Sequence, residues 1–179
     1  GGIADNIDKD KIDQLQENDQ AYYGIAKQKT ELIKELSDKF EENGINVDIK
    51  ENTGEIVLPS GILFDTDESD LSKDGGGFVD IVFEIYGNII LDDKYNNLIE
   101  ALVIEGHTDT NGSYDYNLDL SKKRADSVYK YILNSENNGL SDDQKMAFKE
   151  MTSTIGLSYD EPIIDQFGTI DMDASRRVE

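Results

Sequence analysis

The chain has 179 residues, a hydrophobic fraction of 37% and a net charge of -22, from 39 acidic against 17 basic side chains. Such a length suits one domain of ordinary size with an extra arm, and the apolar fraction suffices for one core. Without a cluster of Lys and Arg to neutralise phosphates, nucleic acid is excluded as a partner, and the lack of cysteine removes disulfides, thiolate catalysis and cysteine-based metal sites.

From about Asp8 to Asn43 the sequence is polar and free of proline. Ile25, Leu32, Leu36 and Phe40 recur at helical spacing, and Gly44 is a natural stop, so residues 1–44 read as a helical arm of one long helix or two shorter ones. Asn18 and Lys29 interrupt its apolar stripe, which favours docking on its own domain over a coiled coil. Residues 45–179 read as the domain proper. Ile45 to Lys50 alternates like a half-buried strand, Glu51-Asn52-Thr53-Gly54 supplies a turn, and Glu55 to Leu58 returns, which predicts a β-hairpin. A helix is expected from near Ser72 to Leu91, with an uncertain start because Gly75-Gly76-Gly77 is costly in a first turn. The apolar run Ile81 to Leu91 contains Glu84 and falls short of the roughly 18 residues a membrane span needs. Leu102 to Glu105 predicts a strand ending at Gly106, and Leu118, Ser121, Ala125, Val128 and Ile132 share one helical face. A helix over Ser141 to Met151 and a strand over Thr152 to Leu157 follow, then a loop from Tyr159 to Asp173. Strands alternating with helices after a hairpin predict an α+β fold with helices packed on one mixed sheet.

Several constellations carry little chemistry. Asp65-Thr66-Asp67-Glu68-Ser69-Asp70 resembles the opening of a calcium loop, but Asp70 and Gly76 stand where glycine and a bidentate glutamate are required. Asp171-Met172-Asp173 fails likewise at Arg176. His107 is the only histidine, which excludes a multi-histidine metal site, and there is no nucleophile elbow for it to serve. No metal, no cofactor and no catalytic group is expected, and His107 reads as a structural hydrogen-bonder.

The stretch from Ile104 to Ala125 is more informative. A strand delivers Asp109 to an exposed loop, Gly112 turns that loop, and the following helix carries Arg124 in about its second turn. An acid and an arginine facing one pocket suit a zwitterion, the acid taking an ammonium and the planar guanidinium a carboxylate. Charge logic alone slightly favours the two pairing with each other as a surface salt bridge.

Gly106-His107-Thr108-Asp109, Gly112, Tyr116-Asn117, Leu120-Ser121 and Arg124-Ala125, in this order and spacing, resemble the signature of OmpA C-terminal-like domains, which occur in OmpA proteins, Pal lipoproteins and the stator protein MotB. Leu63 to Ser69 resembles that family's phenylalanine-aspartate loop, and Gly156 to Ile163 and Ser175 to Glu179 its later landmarks, so the resemblance spans roughly residues 56–179. It implies an OmpA-like βαβαβ sandwich that binds peptidoglycan without chemistry. Asp109 and Arg124 would hold the diaminopimelate side chain of the stem peptide, Phe64, Asp65 and Thr66 would line the same pocket, and Thr108 and Asn117 would shape the loop. Ser175 departs from the family's usual asparagine, and the segment around Gly87 to Asn97 is longer than usual.

The resemblance thus implies a non-catalytic anchor in the extracytoplasmic cell envelope, tying a membrane-embedded portion or partner, such as a MotB-like stator, to the wall. It allows a homodimer. A protein-binding module that keeps the fold without wall binding is the competing expectation. The chain stops where a final strand should continue, which suggests a piece of a longer, membrane-anchored protein.

Overall fold

A computed structural model describes residues 2–179, with side chains from Asp8 onward. Gly1, where the arm of residues 1–44 was expected to begin, lies outside the described residues. The arm is one helix, α1 (Gly2–Glu42). Leu32, Leu36 and Phe40, spaced four apart, are buried on one stripe and dock it on the domain. Gly44 ends it with φ +66°, as Ile45 N–H reaches back to the Phe40 carbonyl at 3.0 Å and Gly44 N–H to Glu41 at 3.0 Å, the bonding of a Schellman cap. The apolar stripe read from the sequence docks only over its second half. Ile25 is exposed, as are residues 8–27 as a group, because no other described element reaches them.

The hairpin forms with short strands, β1 (Asp48–Ile49) and β2 (Ile56–Pro59), paired antiparallel. A four-residue helix, α2 (Ser60–Leu63), leads into the acidic loop, and α3 (Lys73–Ile90) follows with Ser72 as its N-cap, accepting from Gly75 N–H at 2.9 Å. Two of the three glycines that made this start doubtful are required by packing. A Cβ on Gly75 would stand 2.2 Å from the Leu63 carbonyl oxygen, and one on Gly76 2.9 Å from the Tyr131 ring. The long segment after α3 contains a 3-10 turn (Asp93–Tyr95) on which α1 rests: Tyr95 donates its hydroxyl to Glu35 at 2.6 Å, and Lys94 pairs with the same carboxylate at 2.8 Å.

Strand β3 (Leu102–His107) is followed by α4 (Tyr114–Asn134), α5 (Asp142–Met151) and β4 (Thr152–Gly156), a crossover that sets β4 parallel to β3. Ser141 and Gln144 form a capping box at the start of α5. Within the predicted loop a short helix, α6 (Met172–Ser175), precedes β5 (Arg177–Val178), which inserts antiparallel between β2 and β3. The sheet order is β1-β2-β5-β3-β4, mixed as expected. Ile56, Leu58, Ile104 and Val178 share one core with the buried faces of α1, α3 and α4, where Ser121, Ala125, Val128 and Ile132 point inward as predicted, whereas Leu118, expected on the same face, is exposed. Strand alternation then sends Glu105, His107, Arg177 and Glu179 to the opposite face.

Candidate functional site

Two packed elements place the predicted pair. Beyond β3, Thr108 is buried, with its N–H bonded to the Ser158 carbonyl at 2.9 Å and its hydroxyl donated to the Asp109 carbonyl at 2.9 Å. Asp109 is thereby fixed at the strand end, and its Oδ1 accepts the Asn111 N–H at 2.9 Å. Asn117, buried in the first turn of α4, donates to the Asn111 and Ser113 carbonyls at 2.6 and 3.0 Å, which closes the loop around Gly112 (φ +86°). Thr108 and Asn117 thus hold the loop through hydrogen bonds to its backbone.

Arg124 is the eleventh residue of α4, about three turns in rather than two, because the helix begins at Tyr114. Its guanidinium is buried, stacked over the Phe64 ring at 4.8 Å, with Nε donating to the Glu68 carbonyl at 2.9 Å. Phe64 and the backbone at Glu68 thus orient the fork from the phenylalanine-aspartate loop. Asp65 and Thr66 project from that loop into solvent, and Asp67 turns it with φ +60°. Among the described residues, neither terminal nitrogen of Arg124 forms a hydrogen bond or ion pair. Burial pushes the guanidinium below its ordinary pKa, Arg176 adds to this, and Tyr116, Asp67 and Asp109 oppose it.

Asp109 does not pair with Arg124. Its Oδ2 is taken instead by Nη1 of Arg176, whose Nη2 binds Asp173. The simple salt bridge that charge logic allowed is absent, since a different cation holds the acid. Sequence reading placed Arg176 only among the later landmarks, and the signal for its role is the antiparallel return of β5 to the end of β3, which no local pattern reveals. Ser175, the departure from the family pattern, is fully satisfied: its Oγ accepts the Ile163 N–H at 2.9 Å and donates to the Asp171 carbonyl at 2.6 Å.

The buried Asp109 carboxylate, held by Arg176, and the Arg124 guanidinium, whose terminal nitrogens have no partner among the described residues, thus lie near each other at the end of the sheet. The sequence model of the OmpA family matches residues 63–164, the segment that contains both. The chain belongs to the OmpA family. No curated protein matches it. Among solved structures, the OmpA fold extends over most of the chain in a MotB-like protein from Desulfovibrio vulgaris, 17% identical, covering 87% of this chain and 91% of that one with a TM-score of 0.59. The OmpA-like domain of FopA1 from Francisella tularensis is 22% identical, covering 69% of this chain and 67% of that one, with a TM-score of 0.44. The peptidoglycan-associated lipoprotein from Burkholderia pseudomallei is 19% identical, covering 69% of this chain and 86% of that one, with a TM-score of 0.43.

Proposed function

We propose that this OmpA domain binds peptidoglycan non-covalently, through a diaminopimelate-type residue of the stem peptide, and so anchors a membrane protein or complex to the cell wall from the extracytoplasmic side. The observation that carries this reading is the buried Arg124 fork with no acceptor on its terminal nitrogens among the described residues, beside the carboxylate of Asp109. The stem of Arg124 is packed against Phe64 while its unpaired terminal nitrogens are open to an incoming anion, whose two oxygens match the planar fork. The free carboxylate of the ligand meets the fork in two parallel charge-assisted hydrogen bonds, while its ammonium joins Asp109. Arg176 holds the Asp109 carboxylate away from Arg124 and keeps the two halves of the clamp separate. Asp65 and Thr66 line the approach, and no bond is made or broken.

Residues 1–44 act as the arm and residues 45–179 as the binding domain. The undocked half of α1 suits a spacer towards a membrane-embedded portion, as in a MotB-like stator, since no helix among the described residues is itself long and apolar enough to cross a membrane. Calorimetric titration with a diaminopimelate-containing muropeptide tests the reading. Saturable binding that is lost in Asp109→Ala and in Arg124→Ala supports it, and unchanged affinity in both variants overturns it.

A further inference from the structure

The middle of the sheet contains a gap that wall binding does not use. Strand β5 lies between β2 and β3 but spans only Arg177–Val178, so its two neighbours stand two strand spacings apart, about 9–10 Å. Glu179 closes the ladder by exchanging both backbone hydrogen bonds with Glu105 at 2.9 Å. Past that pair, β3 extends back to Leu102 and β2 to Ile56, with no described strand between them.

The two ladders fix which backbone groups face this gap. Glu105 turns its N–H and C=O to β5, so Val103, two residues earlier, turns its own to the same side. Lys50 N–H donates to the Glu55 carbonyl at 2.9 Å, so Glu55 and Val57 face β1, while Ile56 faces away from it. Ile56 and Val103 therefore present their donors and acceptors to each other across the space of one missing strand. On the helix side the gap opens into a cavity of about 570 Å³, walled by Ile56 and Ile104 from the sheet and by Leu36, Val82, Phe83 and Phe148 from the helices. On the open face it is flanked by Glu55 and Glu105.

A small apolar molecule would fill the cavity but leave both rows of backbone groups without partners, whereas an extended strand satisfies cavity and backbone together. Val178 faces the core and Glu179 the open face, so a strand continuing this ladder points its first and third residues into the cavity. Its second and fourth residues lie beside Glu55 and Glu105. We propose that β2 and β3 form an acceptor slot for one extended polypeptide strand, in line with β5 and antiparallel to both neighbours, with apolar residues at alternate positions and basic residues between them. The main chain supplies the pairing, and the cavity selects the alternate side chains. The slot lies at the opposite end of β3 from Asp109, so filling it leaves the clamp untouched.

The test joins Val-Lys-Val-Lys to Glu179, where the effective concentration is high enough for a weak association to register. The comparison is Lys-Val-Lys-Val, of the same composition but with its apolar residues on the open face. The first extension is expected to raise Tm by about 5 °C or more and to slow hydrogen exchange of the Ile56 and Val103 amides at least about tenfold, and the second to do neither. Equal effects of the two extensions, or a rise in Tm without added protection at Ile56 and Val103, would overturn the slot. So would a dimer of the unextended chain in sedimentation with both amides already protected, since a second copy would then occupy the gap. None of these readouts involves a wall ligand, so the outcome stands apart from the clamp.

Discussion

Removing the two halves of the proposed clamp should have different consequences for stability, although both are expected to abolish ligand capture. Arg124→Met deletes a buried charge whose uncompensated desolvation costs several kcal/mol. Against that relief stand the stacking on Phe64, about 1–2 kcal/mol, and the charged hydrogen bond to the Glu68 carbonyl, about 1.5–3 kcal/mol. These offset to within about 1 kcal/mol, so Arg124→Met should leave the fold about as stable as before. Asp109→Asn breaks a real ion pair with Arg176. Its side chain is 10% exposed and that of Arg176 36%, between the surface and buried regimes, which puts the loss at about 1–2 kcal/mol. Urea unfolding followed by circular dichroism, on single and double variants at pH 7, separates the cases. The cycle of Asp109→Asn with Arg176→Gln should give a coupling of about 1 kcal/mol, and the cycle with Arg124→Met less than about 0.5 kcal/mol. If Arg124 couples to Asp109 as strongly as Arg176 does, the free domain carries a simple salt bridge and the preformed anion site does not exist.

Three further outcomes follow from the packing. Gly106→Ala places a Cβ 2.0 Å from the Ser121 carbonyl oxygen and should cost about 3 kcal/mol or more by chemical denaturation, whereas Gly77→Ala, which meets nothing within 4 Å, should stabilise by about 0.5–1 kcal/mol. The His107 pKa is lowered from 6.5 to about 4 by burial, so its contribution is complete above the unfolded value and is lost as pH falls from about 6.5 to about 4. This amounts to on the order of 2 kcal/mol of unfolding free energy, and His107→Asn should flatten that leg of the profile. Below it, burial alone would raise Glu179, but the hydrogen bonds from Lys50 and Arg177 prevail and hold it at about 2; its stabilisation persists above the ordinary value of 4.5 and disappears as pH falls towards 2. Leu36→Ala, at a fully packed position on α1, should cost about 2–4 kcal/mol, while deleting residues up to 23 should leave Tm within about 2 °C.

The local signals were strong where period and capping coincide. The inward face of α4, the capping box at Ser141 and the stop at Gly44 follow from side-chain spacing and cap chemistry alone. The helix start near Ser72 was legible, but the reason for Gly75 and Gly76 was not, because propensity counts the entropy lost in a helix and ignores a neighbour that leaves no room for a Cβ. Only the approach of Leu63 and Tyr131, distant in sequence, explains them. Asp109 and Arg124 were visible as residues of the right types at a suggestive spacing, but who pairs with Asp109 was not. That depends on β5, a two-residue strand 67 positions away from Asp109 in its Arg176 contact, whose pairing is set by the whole sheet.

The same sheet explains why the clamp can stay open without a ligand. Gly106 lacks a Cβ, so the backbone of α4 at Ser121 can press directly on β3, and Ser121 Oγ accepts the Ser158 N–H at 3.1 Å from the turn that follows β4. Arg124 lies about one turn beyond that contact and Asp109 three residues beyond Gly106, so one close approach sets the distance between the two halves. Phe64 supports the fork from below and Arg176 draws the carboxylate aside, each from a different element. A collapsed Asp109–Arg124 pair would have to break both restraints. On the proposed reading, the separation a zwitterion needs is therefore held by packing before any ligand arrives, and binding energy is not consumed in creating it.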